Sequence, residues 1–300
     1  MATQSDILVQ ISNALAGRTL AAGGDVAAIR IAGRRHQTAT VWRSDLLVAS
    51  EQSLPKGDTF DAVLAGGVAA TARLIGRDPG TNVALLRLAQ PAPSGVSGNG
   101  TIQAGALALA FGADGSGGVT ARLGLVNFVG PQWHSRGGGK IAARILLDIR
   151  LSPWEEGGPV FDAGGGRIGI SAAGPRGLVL AIPAETIESV VSVLLQHGRV
   201  ARGWLGAAFR PVAVPDALQR QTGQAAGLIV LSVAASGPAA KAGIIPGDIL
   251  LTVDKTPAMH VRQVIPRLDA DSVGKTVDLE ILRGGAFVTI AAVIEARPAT

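Results

Sequence analysis

In the stretch SPWEEGGPVFD (152–162), two glutamates, Glu155 and Glu156, stand directly before Gly157, Gly158 and Pro159. Glycine and proline in this order make a turn, so the residue in front of them is presented at a bend, and here it carries a carboxylate. A carboxylate in such a place does acid–base work or binds a cation, and both need partners. Imidazole is scarce: the chain has four histidines, His36, His134, His197 and His260. His197 closes a helical pattern and suits a helix C-terminus, His36 and His134 fall in expected turns, and all four are read as structural or surface residues. The absence of cysteine removes disulfides, thiol nucleophiles and cysteine-ligated metals.

The elements that must position these groups are mostly strands. At 300 residues, with 47% hydrophobic and 16% charged residues, the chain has room for two or three packed domains. Forty-one glycines and 16 prolines punctuate short apolar runs, the pattern of an all-β protein with many turns. Between Asp25 and Gly198 these runs include VAAIRIA, ATVWRSDLLVAS, NVALLRLA, ALALAFG, ARLGLVNFVG, GRIGISAAG and LVLAIP. AETIESVVSVLLQHG differs, because Ile187, Val190, Val191, Leu194 and Leu195 recur at helical spacing and Gly198 supplies a stop. Residues 1–24 read as a helical N-terminal segment on the spacing of Ile7, Leu8, Ile11 and Leu15. That segment lacks the features of a signal peptide, so a cytoplasmic protein is expected, or a periplasmic one from which a leader has been removed. No apolar run is long enough to span a membrane. The net charge of +5 comes from scattered basic residues without interleaved aromatics, so no nucleic-acid partner is expected.

Four stretches together resemble the HtrA/Deg family. They are RDPGTNVALLRL (77–88), EEGGPVFDAGGGRIGI (155–170), LAIPAETIESVVSVLLQHGRVARGWLG (180–206) and GLIVLSVAASGPAAKAGIIPGDILLTVD (227–254). The resemblance implies a mainly β fold: a chymotrypsin/trypsin-like double β-barrel over 25–198, with subdomains of about 25–103 and 104–198. A linker at 199–203 and a C-terminal α+β PDZ domain over 204–297 follow. It also implies where a Ser-His-Asp triad would stand. LLVASEQ places Glu51 at the histidine position, RDPGTN places Asn82 at the aspartate position, and Glu156 takes the serine position. Trp154 stands two residues before, where the family has the glycine that shapes the oxyanion hole. Ser50, Ser53 and Ser152 lie close by in sequence, but a serine needs a base to become a nucleophile. No catalytic residue is therefore expected, and the chain resembles a pseudoprotease of the family. The alternatives are a hydrolase with a rearranged site, or a cation held by Glu51 and Glu156.

The PDZ-like part keeps its apparatus. A PDZ domain adds a peptide C-terminus to a sheet edge and holds the carboxylate on backbone N–H groups. Trp204, Leu205, Gly206 and Ala207 occupy that loop, and Leu205, Ile229, Leu231, Val264 and Leu268 are the expected wall of the pocket for the terminal side chain. The expected partners are C-terminal peptides or unfolded proteins with an apolar end. No cofactor is implied. An oligomer is open; the resemblance implies trimers formed through aromatic residues of an N-terminal segment, and residues 1–41 contain none.

Overall fold

In this computed structural model the chain is described over residues 4–31, 33, 35–93 and 98–298. It divides into two compact units, one of residues 1–133 and 141–199 and one of residues 134–140 and 200–300.

The first unit opens with helix α1 (Gln4–Ala22), longer than its apolar spacing requires. Ile7, Leu8 and Ile11 are exposed, while Leu15 and Ala22 pack with Val26, Leu109 and Phe111. Six strands follow: β1 (Val26–Arg30), β2 (His36–Arg43), β3 (Leu46–Ser50), β4 (Thr59–Val63), β5 (Ala69–Asp78) and β6 (Val83–Leu88). They close into a barrel in the order β1-β2-β3-β6-β5-β4. Six more, β7 (Leu107–Ala113), β8 (Val119–Gly130), β9 (Arg144–Leu147), β10 (Pro159–Asp162), β11 (Arg167–Ala173) and β12 (Val179–Pro183), close a second barrel in the order β9-β12-β11-β10-β7-β8. Helix α2 (Ala184–His197) then ends at Gly198 in the left-handed conformation.

Each barrel has its own core, around Ile29, Val41, Leu47 and Leu86 in the first and Ile145, Leu147, Val160 and Ile168 in the second. A third cluster of Val26, Ala28, Val63, Leu109, Phe111 and Phe161 joins strands of both barrels. Beside it lies a buried ion pair. Arg167 Nη2 is 3.3 Å from Asp25 Oδ1, with the two side chains 8% and 2% exposed. The Arg167 guanidinium donates to the Trp42 carbonyl at 3.3 Å and sits 4.7 Å from the Trp42 ring centroid, so the cation is held by a carboxylate, a carbonyl and an aromatic face.

The second unit is built on a six-stranded sheet: β13 (Ala207–Ala213), β14 (Ala226–Val233), β15 (Ile249–Val253), β16 (Thr276–Arg283) and β17 (Ala286–Val293) in that spatial order, and the short strand Thr256–Pro257, which pairs with β15 off that path. Helices α3 (Asp216–Thr222), α4 (Pro238–Lys241) and α5 (Val261–Val264) complete it. Over MHVRQVIPRLD the helix α5 is short, and a 3-10 turn covers Ile265–Leu268 after it. Pro266 has no N–H to continue the α-helical ladder. The Pro246-Gly247-Asp248 turn is locked by Asp248, which accepts from both Nε and Nη2 of Arg283 at 2.7 Å and from the Ile245 N–H at 2.9 Å. Burial raises the Asp248 carboxyl pKa, and the Arg283 and Ile245 hydrogen bonds more than offset this, so it lies below its ordinary value.

Removing one member of the Asp25–Arg167 pair leaves a buried charge uncompensated. Asp25→Ala should cost about 3–5 kcal/mol of barrel stability, and adding Arg167→Met should recover part of the loss. Urea unfolding followed by tryptophan fluorescence checks both, and a full-cost double variant would show that the pair is not what Asp25 contributes.

Candidate functional site

The barrel site is built on the turn after Glu156. Gly157 has φ +90°, and a Cβ there would lie 2.6 Å from the Thr38 carbonyl oxygen; on Gly158 it would lie 1.8 Å from that of Phe111. No side chain fits at either position. Three side chains of β2 hold the loop from the other barrel. Thr38 Oγ1 donates to the Trp154 carbonyl at 2.7 Å, Gln37 Nε2 to the Glu156 carbonyl at 2.5 Å, and Thr40 Oγ1 to the Gly157 carbonyl at 2.9 Å.

The two glutamates meet opposite environments. Residues Pro153–Glu155 form a 3-10 turn that leaves the Trp154 side chain exposed and buries Glu155 to 1%. The Glu155 carboxylate accepts from Thr120 Oγ1 at 2.7 Å, from Nε and Nη2 of Arg122 at 3.2 and 3.1 Å and from the Ser152 N–H at 2.7 Å. Burial pushes its pKa up, and the bonds from Thr120, Ser152 and Arg122 pull it further down, so the net shift is below the ordinary carboxylate value.

Glu156 is half-buried and surrounded by neutral donors. Ser50 Oγ donates to its Oε1 at 2.9 Å, Ser53 Oγ to its Oε2 at 2.7 Å and the Ala173 N–H to Oε1 at 3.2 Å. Gln52 Nε2 also donates to Oε1, and Asn82 Nδ2 lies 3.5 Å away. Asn82, at φ +60°, is oriented by the Gln52 N–H, which donates to its Oδ1 at 2.9 Å. Ser50 Oγ is also 3.0 Å from that Oδ1, but its single proton serves one acceptor at a time. A cavity of about 230 Å³ opens beside Glu156, lined by Leu151, Ser152, Pro153, Ala173 and Leu178 among others.

Of the residues singled out from the sequence, Ser50, Ser53, Asn82 and Glu156 come together and Glu51 does not join them. The Glu51 carboxylate turns to Arg77, 3.6 Å from Nη1. The Glu51–Glu156 pair that the cation-binding alternative needs is therefore not formed, and beside Ser50 and Ser53 it is the next residue, Gln52, that faces Glu156. The turn after β3, where the Leu54 N–H reaches the carbonyls of both Ser50 and Glu51, brings Ser50, Gln52 and Ser53 to Glu156 and turns Glu51 away. The run Ser50-Glu51-Gln52-Ser53 was the available signal, but spacing alone does not choose among its members. Among the described residues, no group of three or more His, Cys, Asp or Glu is placed to hold a metal ion. The histidines lie elsewhere: His36 Nε2 is 2.8 Å from the Ala113 carbonyl, His134 is 3.5 Å from Asp269, His197 ends α2, and His260 precedes α5.

In the second unit, Gly206 has φ +76°, which turns the chain between Leu205 and β13. The Leu205 carbonyl accepts from the Ala239 N–H at 2.7 Å and the Gly206 carbonyl from the Ala234 N–H at 2.8 Å. Leu205, Val264 and Leu268 share one apolar cluster with Ala207, Phe209, Leu228 and Val230. Ile229 and Leu231 do not belong to it, and Leu231 is 54% exposed. The period-2 alternation of β14 sends Leu228 and Val230 inward and their neighbours to the other face. Of the five wall residues, Ile229 and Leu231 therefore stand on the face away from this cluster.

The chain matches the trypsin-like peptidase domain over residues 18–170 and the PDZ domain over residues 203–294. A probable periplasmic serine endoprotease DegP-like of Brucella suis biovar 1 (strain 1330) is 30% identical over 262 residues, covering 84% of this chain and 50% of that protein. Its namesake in Pseudomonas fulva (strain 12-X) is 31% identical over 236 residues, 76% of this chain and 49% of that protein. The chain thus spans about half the length of the curated relatives it matches. Among solved structures, "HtrA-type protease AlgW with decapeptide" is similar with a TM-score of 0.73 and 26% identity, over 95% of this chain and 99% of that one. "HtrA-type protease AlgW with tripeptide" has a TM-score of 0.71 and 28% identity, over 95% and 98%. The expectation of a cytoplasmic protein is corrected by these relatives: they are named periplasmic, which points to the periplasm. Among the described residues no helix is long and apolar enough to cross a membrane.

The buried carboxylate makes a pH prediction. With its folded pKa below the unfolded value of about 4.3, Glu155 contributes stability that is complete above that value and is lost as pH falls through the folded pKa. Glu155→Gln should lower the urea midpoint at pH 7 and flatten its decline between about pH 5 and 3; parallel curves for the two proteins would refute this role.

Proposed function

The chain belongs to the HtrA/Deg family, with a trypsin-like peptidase domain and a C-terminal PDZ domain, and from that membership we propose that it binds peptides without cutting them. It is a pseudoprotease that acts as an adaptor or chaperone-like binder of protein C-termini or unfolded chains. The observation that supports this reading most is the surroundings of Glu156. A carboxylate occupies the end of the turn, its partners are Ser50, Gln52, Ser53 and Asn82, and no imidazole is among them.

The chemistry follows from those partners. Acyl transfer needs a nucleophile, a base to take its proton and donors for the oxyanion. Gln52, where the base would act, has an amide that cannot take a proton at neutral pH. Glu156 would repel negative charge developing on a substrate carbonyl. The side chains that remain can hold a peptide rather than break it, with the adjoining cavity as room for one side chain. In the PDZ domain, by contrast, carboxylate capture depends on backbone N–H groups converging at Gly206, and an apolar last residue suits Leu205, Val264 and Leu268.

A second reading has one contact in its favour. Ser53 Oγ lies 2.7 Å from Glu156 Oε2, which would suit a serine with a carboxylate base in a rearranged hydrolase.

Two measurements test the choice. The protein should leave unfolded casein intact and resist a fluorophosphonate probe; cleavage abolished by both Ser53→Ala and Glu156→Ala would replace this reading with the second. Peptides with a free C-terminus should bind, and Leu205→Asp or Gly206→Val should weaken binding about tenfold or more, through the lost apolar contact or the strained loop. Binding indifferent to both substitutions would remove the groove from the account.

A further inference from the structure

Strand β13 is the outer strand of its sheet, so one row of its backbone groups is free to pair with a ligand. Which residues form that row follows from the bonds on the other side. In an antiparallel pair, two opposite residues either exchange both backbone hydrogen bonds or neither. Phe209 stands opposite Val230, but the Val230 N–H donates to the Asp248 carbonyl at 2.8 Å and its carbonyl accepts from the Gly247 N–H at 2.9 Å. Val230 is thus committed to the β15 side, and Phe209 directs its own N–H and C=O to the open edge. The register shifts between Ala208 and Phe209 because Leu231 is extra on β14, so β13 keeps its own alternation, and Ala207 and residue 211 fall in the same outward row; the Val214 N–H, which donates to the Ala225 carbonyl at 2.9 Å, gives the same parity. The Gly206 carbonyl agrees, since it accepts from Ala234 on the β14 side.

Residue 211 is Pro211. It is exposed, pairs with Leu228, and has no N–H to offer at the position where the open edge needs one. A peptide whose carboxylate sits in the Trp204–Ala207 loop would run antiparallel to β13. It would pair with Ala207 and Phe209 and then, two residues further, meet a carbonyl and a proline ring. The same proline keeps the edge from templating a longer strand of another chain.

We propose that the groove recognises only about the last three residues of an apolar C-terminus, because Pro211 ends the strand pairing. This rests on the peptide-binding reading above. Ligand residues upstream of the third contribute no further affinity, and discrimination among partners falls on the terminal side chains.

The test is a length series. The tightest binder from a display library of eight-residue free C-termini is synthesised as N-acetylated eight-residue and three-residue peptides, and Kd is measured for the full chain and for Pro211→Ala. The native chain should bind both lengths within about twofold, while Pro211→Ala should bind the longer one about 2- to 10-fold better than the shorter, the worth of one regained hydrogen bond. A native chain that binds the long peptide more than about fivefold tighter, or a Pro211→Ala protein with no length preference, overturns the truncated pairing while leaving peptide binding in place. If neither length binds the native chain, the peptide-binding reading fails and this inference fails with it.

Discussion

The barrel site depends on a contact that leaves no room for a side chain. A Cβ on Gly158 would fall 1.8 Å from the Phe111 carbonyl oxygen, and one on Gly157 would fall 2.6 Å from that of Thr38. Both glycines therefore sit against backbone that cannot yield like a flexible side-chain end. The loop in front of them is held through its carbonyls by Gln37, Thr38 and Thr40. None of these restraints involves the side chain of residue 156. The fold fixes where that side chain starts, and the residue type alone decides what stands there.

This separation explains how two adjacent carboxylates are accommodated. Glu155 points inward, where burial is costly unless donors surround the charge, and Thr120, Ser152 and Arg122 supply them. Glu156 points into the cleft, where hydroxyls, an amide and a backbone N–H suffice because solvent still reaches it. The cation is spent on the buried member, as the cost of desolvation requires. A site organised around a half-buried anion and neutral donors suits holding a polar or cationic group better than stabilising an oxyanion.

The frame was legible in the sequence because its signals are local. Gly-Gly-Pro marks the turn, the helical spacing of Ile187 to Leu194 marks α2, and Pro-Gly-Asp marks the turn closed by Arg283. Choices of one residue were not legible. Whether Glu51 or Gln52 faces Glu156 depends on how the chain bends after Ser50, and the shift of one position exchanges a carboxylate for an amide. The parity of β14 raises the same difficulty. Gly-Leu-Ile-Val-Leu is apolar at consecutive positions, so no alternation shows that Leu228 and Val230 face the core while Leu231 is exposed. For α1, the apolar spacing indicated a helix correctly, but its exposed Ile7, Leu8 and Ile11 show that spacing alone does not say what a helix packs against.

The two sites also differ in how substitution acts on them. The nucleophile and base of a trypsin-like barrel are side chains, so replacing a few residues can remove them while the loop geometry persists. Carboxylate capture and strand pairing in a PDZ groove reside in backbone groups, which every residue but proline supplies. Sequence change therefore reaches the groove by two routes: strain at a left-handed position such as Gly206, or proline on the outward row. By the alternation argued above, Pro211, opposite Leu228, takes the second route without costing the sheet a hydrogen bond. On the reading proposed above, a groove altered in this way would keep its carboxylate loop and apolar pocket and discriminate by its last few contacts.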